Sequence, residues 1–409
     1  MYLLVNIFGV AIFILVAFAF SKKKREVNWK SIAIMVVINL FLAWFLTKFS
    51  LGRDLVEGAA NGFNWLMQAA YQGIQFMVPA MPKVTDMGFF MSVLLPVIMI
   101  VPLFDILTYI GVLPFIIKWI GRGLSKITGQ PKFESFFSVE MMFLGNTEAL
   151  AVSSLQLKLM KSERNLTLAM MSMSCVTASI IGAYTTMMPG QYILTAVPIN
   201  IINAIIITSI LNPVNVTEEE DTIAEMTGSN SNDLETSESD SKREPFFAFL
   251  GDSILGAGKL VLIIAANVIA FVALAALIDN VLGLVNPNLS LENILGIIMF
   301  PFAWLMGFNP SDAFELARYM GTKLVTNEFV VMGQVSSTIN SFAPHYKAVL
   351  TVFVTSFANF STIGMIIGCF KGIVDKEKND VIARNVGYML LSGILVSLLS
   401  AGMVGVFVW

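Results

Sequence analysis

An all-α, polytopic membrane fold is what this sequence predicts: eight transmembrane helices, with two oppositely oriented re-entrant helical hairpins among them as an inverted repeat. Three observations predict it. The 409 residues are 56% hydrophobic and only 13% charged, with mean hydropathy +0.77, whereas a soluble domain carries about 25% charged residues. Apolar windows of about 20 residues recur, each long enough to cross roughly 30 Å of hydrocarbon, and runs such as IAIMVVINLFLAWFL lack the alternation of a membrane β-strand. Two polar-tipped stretches lie where the charge pattern forbids a full crossing.

The spans fall at roughly 2–20, 31–48, 88–113, 166–188, 192–212, 253–280, 347–370 and 386–408. Residues 1–20 are expected to be a retained span, because their charges (SKKKR, 21–25) follow the apolar run, the reverse of a cleavable signal. Eight crossings place both termini on one side. With the termini outside, the inner loops hold 18 of the 25 Lys and Arg and the outer regions 6, with Lys259 inside the sixth span. This threefold bias obeys the positive-inside rule. Residues 133–157 then lie between two basic inner loops and residues 309–344 between two outer segments. Each must enter and leave on the same side, one hairpin from within and the other from without, and such paired discontinuous helices build substrate sites at the membrane midplane.

The net charge of −3 hides an uneven distribution. Residues 217–244 hold 10 of the 28 acids and 2 of the 25 bases; outside them stand 23 bases and 18 acids. This Ser/Glu/Asp/Thr-rich stretch reads as a solvated linker. Cys175 and Cys369 form no CxxC and the chain has one histidine, His345, so a disulfide framework, a His-rich metal site and a Ser-His triad are all disfavoured. No GxGxxG or P-loop is present, and nothing points to nucleic acid or to a cofactor.

The polar residues carry the functional reading. Asn146, Thr147 and Glu148 (GNTEAL) fall at the first hairpin's break, and Asn327 and Glu328 (TNEFV) near the second's. An ionisable group at bilayer depth costs about 2.5–3.5 kcal/mol on insertion scales unless it is paired or lines a wet cavity. Capping of half-helices is the plainer account, and it explains one glutamate better than two, each beside an asparagine. Ser172, Ser174, Thr177 and Ser179 permit close helix packing. Two carboxylates with Asn146, Thr147, Asn327, Asn359 and Thr362 offer acceptors and amides but no fixed cation, so an anionic cargo is a poor match. Carboxylates suit vicinal hydroxyls, amides suit a heterocycle's edge, and Phe357 can pack on a flat ring. A neutral, hydroxyl-rich, ring-bearing metabolite such as a nucleoside fits best. A membrane enzyme using the glutamates as acid and base lacks any accompanying nucleophile, metal or cofactor motif. A channel, or a carrier for another neutral solute, remains the other alternative.

At GNTEAL (145–150), TNEFV (326–330) and SFANFST (356–362) the chain resembles the concentrative nucleoside transporters of the bacterial eight-span type, and the resemblance covers essentially its whole length. Asn146 stands where the family signature usually has Gln, and GNTEALAV with FANFSTIGM is similar to a subgroup associated with purine nucleosides. The resemblance implies that Asn146, Thr147 and Glu148 face the base, that Glu328, Asn359 and Thr362 hold the ribose, that Phe357 packs beside the substrate, and that Tyr184 lines the base pocket. It implies a homotrimer in the lipid of a bacterial inner membrane, working as an elevator. The scaffold would comprise residues 1–120 and 247–305; the transport domain would comprise 121–212 and 306–409, with 213–246 as the acidic cytoplasmic linker. Sodium-coupled relatives use an Asn five residues before the base-reading amide; here that residue is Met141, and a thioether is a poor ligand for a hard cation. Ser179 and the carbonyls near Leu144 and Ile180 would remain. H+ is therefore the expected coupling ion, with a Na+-coupled nucleoside transporter of broad or pyrimidine selectivity as the alternative. A carboxylate in a partly desolvated cavity can carry a proton, and Glu148 and Glu328 are the candidates.

Overall fold

Apolar helix-forming runs leave the backbone little choice but to bond within each segment, since lipid offers no partners. In a computed structural model, which describes residues 2–78, 88–217, 219–221, 245–287 and 289–409, the chain is helical with no strand among those residues. It begins with α1 (Tyr2–Ala19), α2 (Trp29–Thr47) and the long α3 (Ser50–Met77). A π turn (Phe90–Leu94) leads into α4 (Val97–Tyr109) and α5 (Val112–Thr128). The first hairpin is α6 (Lys132–Leu144), α7 (Asn146–Val152) and α8 (Ser154–Leu159), followed by α9 (Ser162–Ser172), α10 (Ala178–Met187) and α11 (Gly190–Leu211). The second half runs α12 (Phe246–Val285), α13 (Leu291–Trp304), α14 (Pro310–Val325), α15 (Glu328–Val335), α16 (Pro344–Val354), α17 (Phe360–Ile373), α18 (Lys376–Arg384) and α19 (Val386–Gly405).

The order repeats. An apolar helix, a packed pair of helices, a hairpin break, a broken span and a continuous span occur as α4 to α11 and again as α12 to α19, and the pairs α5–α6 and α13–α14 correspond. Among the described residues six helical stretches are long and apolar enough to cross a membrane: α1, α2, Phe90–Tyr109, α11, α12 and α19. The other two expected spans are each built from two shorter helices. α11 and α19 occupy the centre, with 78% and 67% of their apolar windows buried, whereas α12 lies at the periphery with 6% buried. At 40 residues α12 is about 60 Å long, well beyond the 253–280 expected of it.

The fourth and seventh spans differ from the expectation of continuous helices over 166–188 and 347–370. Each is interrupted, at 173–177 and 355–359. The freed backbone groups find partners across the fold, which is what lets a break survive at depth. Phe357 N donates to Cys175 O at 3.1 Å, linking one break to the other. Asn200 Nδ2 of α11 donates to Thr355 O at 2.6 Å, and Lys323 Nζ donates to Phe353 O at 2.6 Å.

The hairpin's entry is fixed by a buried fork-to-fork ion pair. Arg164 Nε and Nη2 donate to Glu134 Oε1 and Oε2 at 2.7 and 2.8 Å, joining α9 to α6. Arg164 Nη1 also donates to Glu220 O at 2.9 Å. The acidic linker's remaining stretch, 222–244, lies outside the described residues.

Candidate functional site

Three helix breaks meet at one place, and each has a local cause. Between α6 and α7, Gly145 adopts φ +91°, a left-handed conformation that L side chains resist, and a Cβ there would collide with Thr177 Oγ1. Between α14 and α15, Asn327 is the N-cap, its side chain accepting from Val330 N at 3.1 Å. Between α16 and α17, Asn359 caps in the same way, accepting from Thr362 N at 2.9 Å. A cap of this kind contributes about 1 kcal/mol. These caps start two half-helices at the depth where Glu328, Asn359 and Thr362 stand.

The breaks open onto a cavity of about 120 Å³. Asn146, Thr147, Glu148, Glu328, Phe357, Asn359, Thr362 and Ser179 all line it. Thus the structure gathers on one cavity eight of the nine residues that the resemblance ties to substrate or ion, and Asn327 with them. The ninth, Tyr184, is fully buried and reaches the site through its hydroxyl, which donates to Glu328 Oε1 at 3.0 Å.

Within the cavity the polar groups differ in how far they are satisfied. Glu328 receives Tyr184 Oη on one oxygen and Asn359 Nδ2 on the other, at 3.2 Å, so its orientation is fixed. Glu148 accepts from Thr147 Oγ1 at 2.7 Å and is exposed on the cavity side. Asn146 is only 3% exposed, yet neither its Oδ1 nor its Nδ2 has a partner. An unpartnered buried amide costs about 1–3 kcal/mol, so it marks the place where a bound molecule with a donor–acceptor edge would be satisfied. Met141, at the position where sodium-coupled relatives are expected to have Asn, is buried; its thioether accepts from Ser172 Oγ at 3.4 Å and its carbonyl from Cys175 Sγ at 2.9 Å.

Sequence reasoning overlooked two charged residues here. Lys323, counted among outer bases, is fully buried; its ammonium donates to Phe353 O and to Ser356 Oγ at 2.7 Å and ties α14 to the α16–α17 break. The signal was available, since Lys323 falls in the apolar stripe of α14 with Ala313, Leu316, Met320 and Leu324. Asp105, on α4, lines the cavity wall opposite the breaks; inside an apolar span it was passed over.

Comparisons with known proteins give the family. Residues 8–81 match the family model described as Na+ dependent nucleoside transporter N-terminus, and residues 192–405 match its C-terminal counterpart. The chain is 44% identical to the purine nucleoside transport protein NupG of Bacillus subtilis (strain 168), covering 100% of both. It is 28% identical to the nucleoside permease NupC of Helicobacter pylori over 99% of this chain and 98% of that one. Its fold is similar to that of CNTnw in an inward-facing substrate-bound state, with TM-score 0.88 and 24% identity over 100% of this chain and 98% of that chain. Polytopic, all-helical and matched over its full length, the chain belongs to the concentrative nucleoside transporter family and is a multi-pass membrane transporter rather than an enzyme.

Proposed function

We propose that this protein is a proton-coupled importer of the cell membrane that favours purine nucleosides. The observation that carries the reading is Asn146: a buried amide with both polar atoms unpartnered, beside the Thr147–Glu148 pair and in one cavity with Glu328 and Asn359. Its short side chain leaves room for a bicyclic base, and the relative NupG is described as a purine nucleoside transport protein. Asn146, Thr147 and Glu148 take the base; Glu328, Asn359 and Thr362 take the ribose, whose hydroxyls donate to the carboxylate; Phe357 packs beside the sugar. Tyr184 acts through Glu328, holding one of its oxygens.

Proton coupling follows from Met141, whose sulfur and carbonyl are both engaged by neighbours, and from two carboxylates on the cavity wall. Two observations favour sodium instead: the matching family model is described as Na+ dependent, and Ser179, Leu144 and Ile180 still line the cavity. Transport proceeds by elevator movement of residues 121–212 and 306–409 against a scaffold of 1–120 and 247–305, with both termini outside. Family architecture supports assembly as a homotrimer within the lipid. Purified protein in liposomes, given radiolabelled inosine or uridine under an inward proton gradient with and without sodium, tests all of this. Sodium-indifferent, proton-driven inosine accumulation is expected. Sodium-dependent uptake would overturn the coupling, and preferential uridine uptake would overturn the purine preference.

A further inference from the structure

The wall facing the hairpin breaks belongs to α4 and α12, which pack together. It is mostly apolar: Val101, Phe104, Leu260 and Ile264 line it. Asp105 is an exception. A carboxylate inside a membrane helix costs about 2.5–3.5 kcal/mol unless it is paired or borders water, so its presence on this wall needs a reason. A structural reason exists and accounts for half of it: Ser253 Oγ of α12 donates to Asp105 Oδ2 and pins the two helices. Among the described residues nothing donates to Oδ1. Asp105 lines the same cavity as Glu148 and as Asn146, whose amide is unpartnered.

We propose that Asp105 is a specificity-determining residue whose free carboxylate oxygen accepts a hydrogen bond from an N–H on the six-membered ring edge of the bound purine. This deepens the nucleoside reading above and rests on it. Three features converge. The cavity that Asp105 lines is the one that Asn146, Thr147 and Glu148 line. A carboxylate on a mostly apolar wall calls for a donor, and an N–H of the base supplies one. An oxygen already held by Ser253 leaves its twin pre-oriented, so little side-chain freedom is lost when the base arrives. Inosine, guanosine and adenosine each carry an N–H donor on the six-membered ring or its substituent; purine riboside carries none.

The test is radiolabelled inosine uptake into proteoliposomes, competed by unlabelled inosine or purine riboside, for wild type, Asp105→Asn, Asp105→Ala and Ser253→Ala. Asp105→Asn keeps an oxygen for Ser253 and turns the free acceptor into a donor without changing shape. Wild type is expected to favour inosine over purine riboside by at least about tenfold, the size of one hydrogen bond to a charged acceptor. Asp105→Asn and Asp105→Ala should bring that ratio close to one, while Ser253→Ala, which breaks the pin but keeps the carboxylate, should leave it within about twofold. A wild-type ratio retained in Asp105→Asn would overturn the proposal. So would equal slowing of both substrates in all three variants, which would make Asp105 a helix pin only. Loss of gradient-driven accumulation at an unchanged ratio would make it a cation site instead. Wild-type vesicles that transport neither compound would overturn the nucleoside reading itself, and this role with it.

Discussion

Asn359 donates through Nδ2 to Glu328 Oε2 at 3.2 Å while its Oδ1 accepts from Thr362 N at 2.9 Å. One side chain thus starts the half-helix α17 and orients the carboxylate that starts α15. With Tyr184 on the other oxygen, Glu328 is held by neutral donors only. A neutral glutamine in its place must turn an NH2 toward one of two donors. Glu328→Gln is expected to raise the KM for inosine by about 10–100-fold, the range for a lost hydrogen bond to a charged group, and to abolish uphill accumulation while the protein remains folded by size exclusion. Uptake at wild-type rates would remove Glu328 from the mechanism.

Asn146 offers a second test, of selectivity rather than of rate. Its buried amide is unpartnered, so lengthening it by one methylene moves the hydrogen-bonding groups further into the cavity without introducing charge. Asn146→Gln should shift the inosine-to-uridine preference toward uridine by about tenfold, the scale on which a pocket distinguishes one methylene. Competition assays with both nucleosides read this directly. An unchanged ratio would show that base size is sensed elsewhere.

Much of the site was legible in the sequence because membrane physics makes polar residues conspicuous: GNTEAL, TNEFV and SFANFST interrupt apolar runs where interruptions are costly. Hairpin placement followed from loop charges for the same reason. The broken fourth and seventh spans were not legible. Their breaks are stabilised by contacts between residues far apart in sequence, such as Phe357 N to Cys175 O and Asn200 Nδ2 to Thr355 O, and no local propensity announces a long-range partner. Asp105 and Lys323 were missed on different grounds. A charge inside a span reads as an anomaly until the opposite wall is known, and Lys323 was assigned by loop position although its helical spacing put it with the buried stripe of α14.

The pair Glu134–Arg164 predicts a stability effect separable from transport. Both side chains are nearly inaccessible, 6% and 3% exposed, so removing one partner strands a desolvated charge. Arg164→Met should destabilise the protein by about 3–5 kcal/mol, whereas the double variant Glu134→Gln, Arg164→Met should recover a substantial part of the loss, because neither charge then remains. Thermal unfolding in detergent compares the three proteins. If the double variant is less stable than Arg164→Met, the ion pair's role at the hairpin entry is not the one described.

Met141 supplies the last prediction, on coupling. Its sulfur accepts from Ser172 Oγ and its carbonyl from Cys175 Sγ, so the thioether is already part of a buried polar contact and has no affinity for a hard cation. Replacing it with a short amide puts a hard oxygen near Ser172 and close to the break that also carries Ser179. Met141→Asn should therefore create a sodium response: inosine uptake raised by about threefold or more by sodium in the variant and unaffected in wild type, since even about 1 kcal/mol of added cation affinity changes occupancy about fivefold. The measurement is initial uptake rate against sodium concentration at fixed pH. Sodium stimulation already present in wild type would mean that Ser179 and the nearby carbonyls bind the ion without help from position 141, and the proton assignment would then be withdrawn.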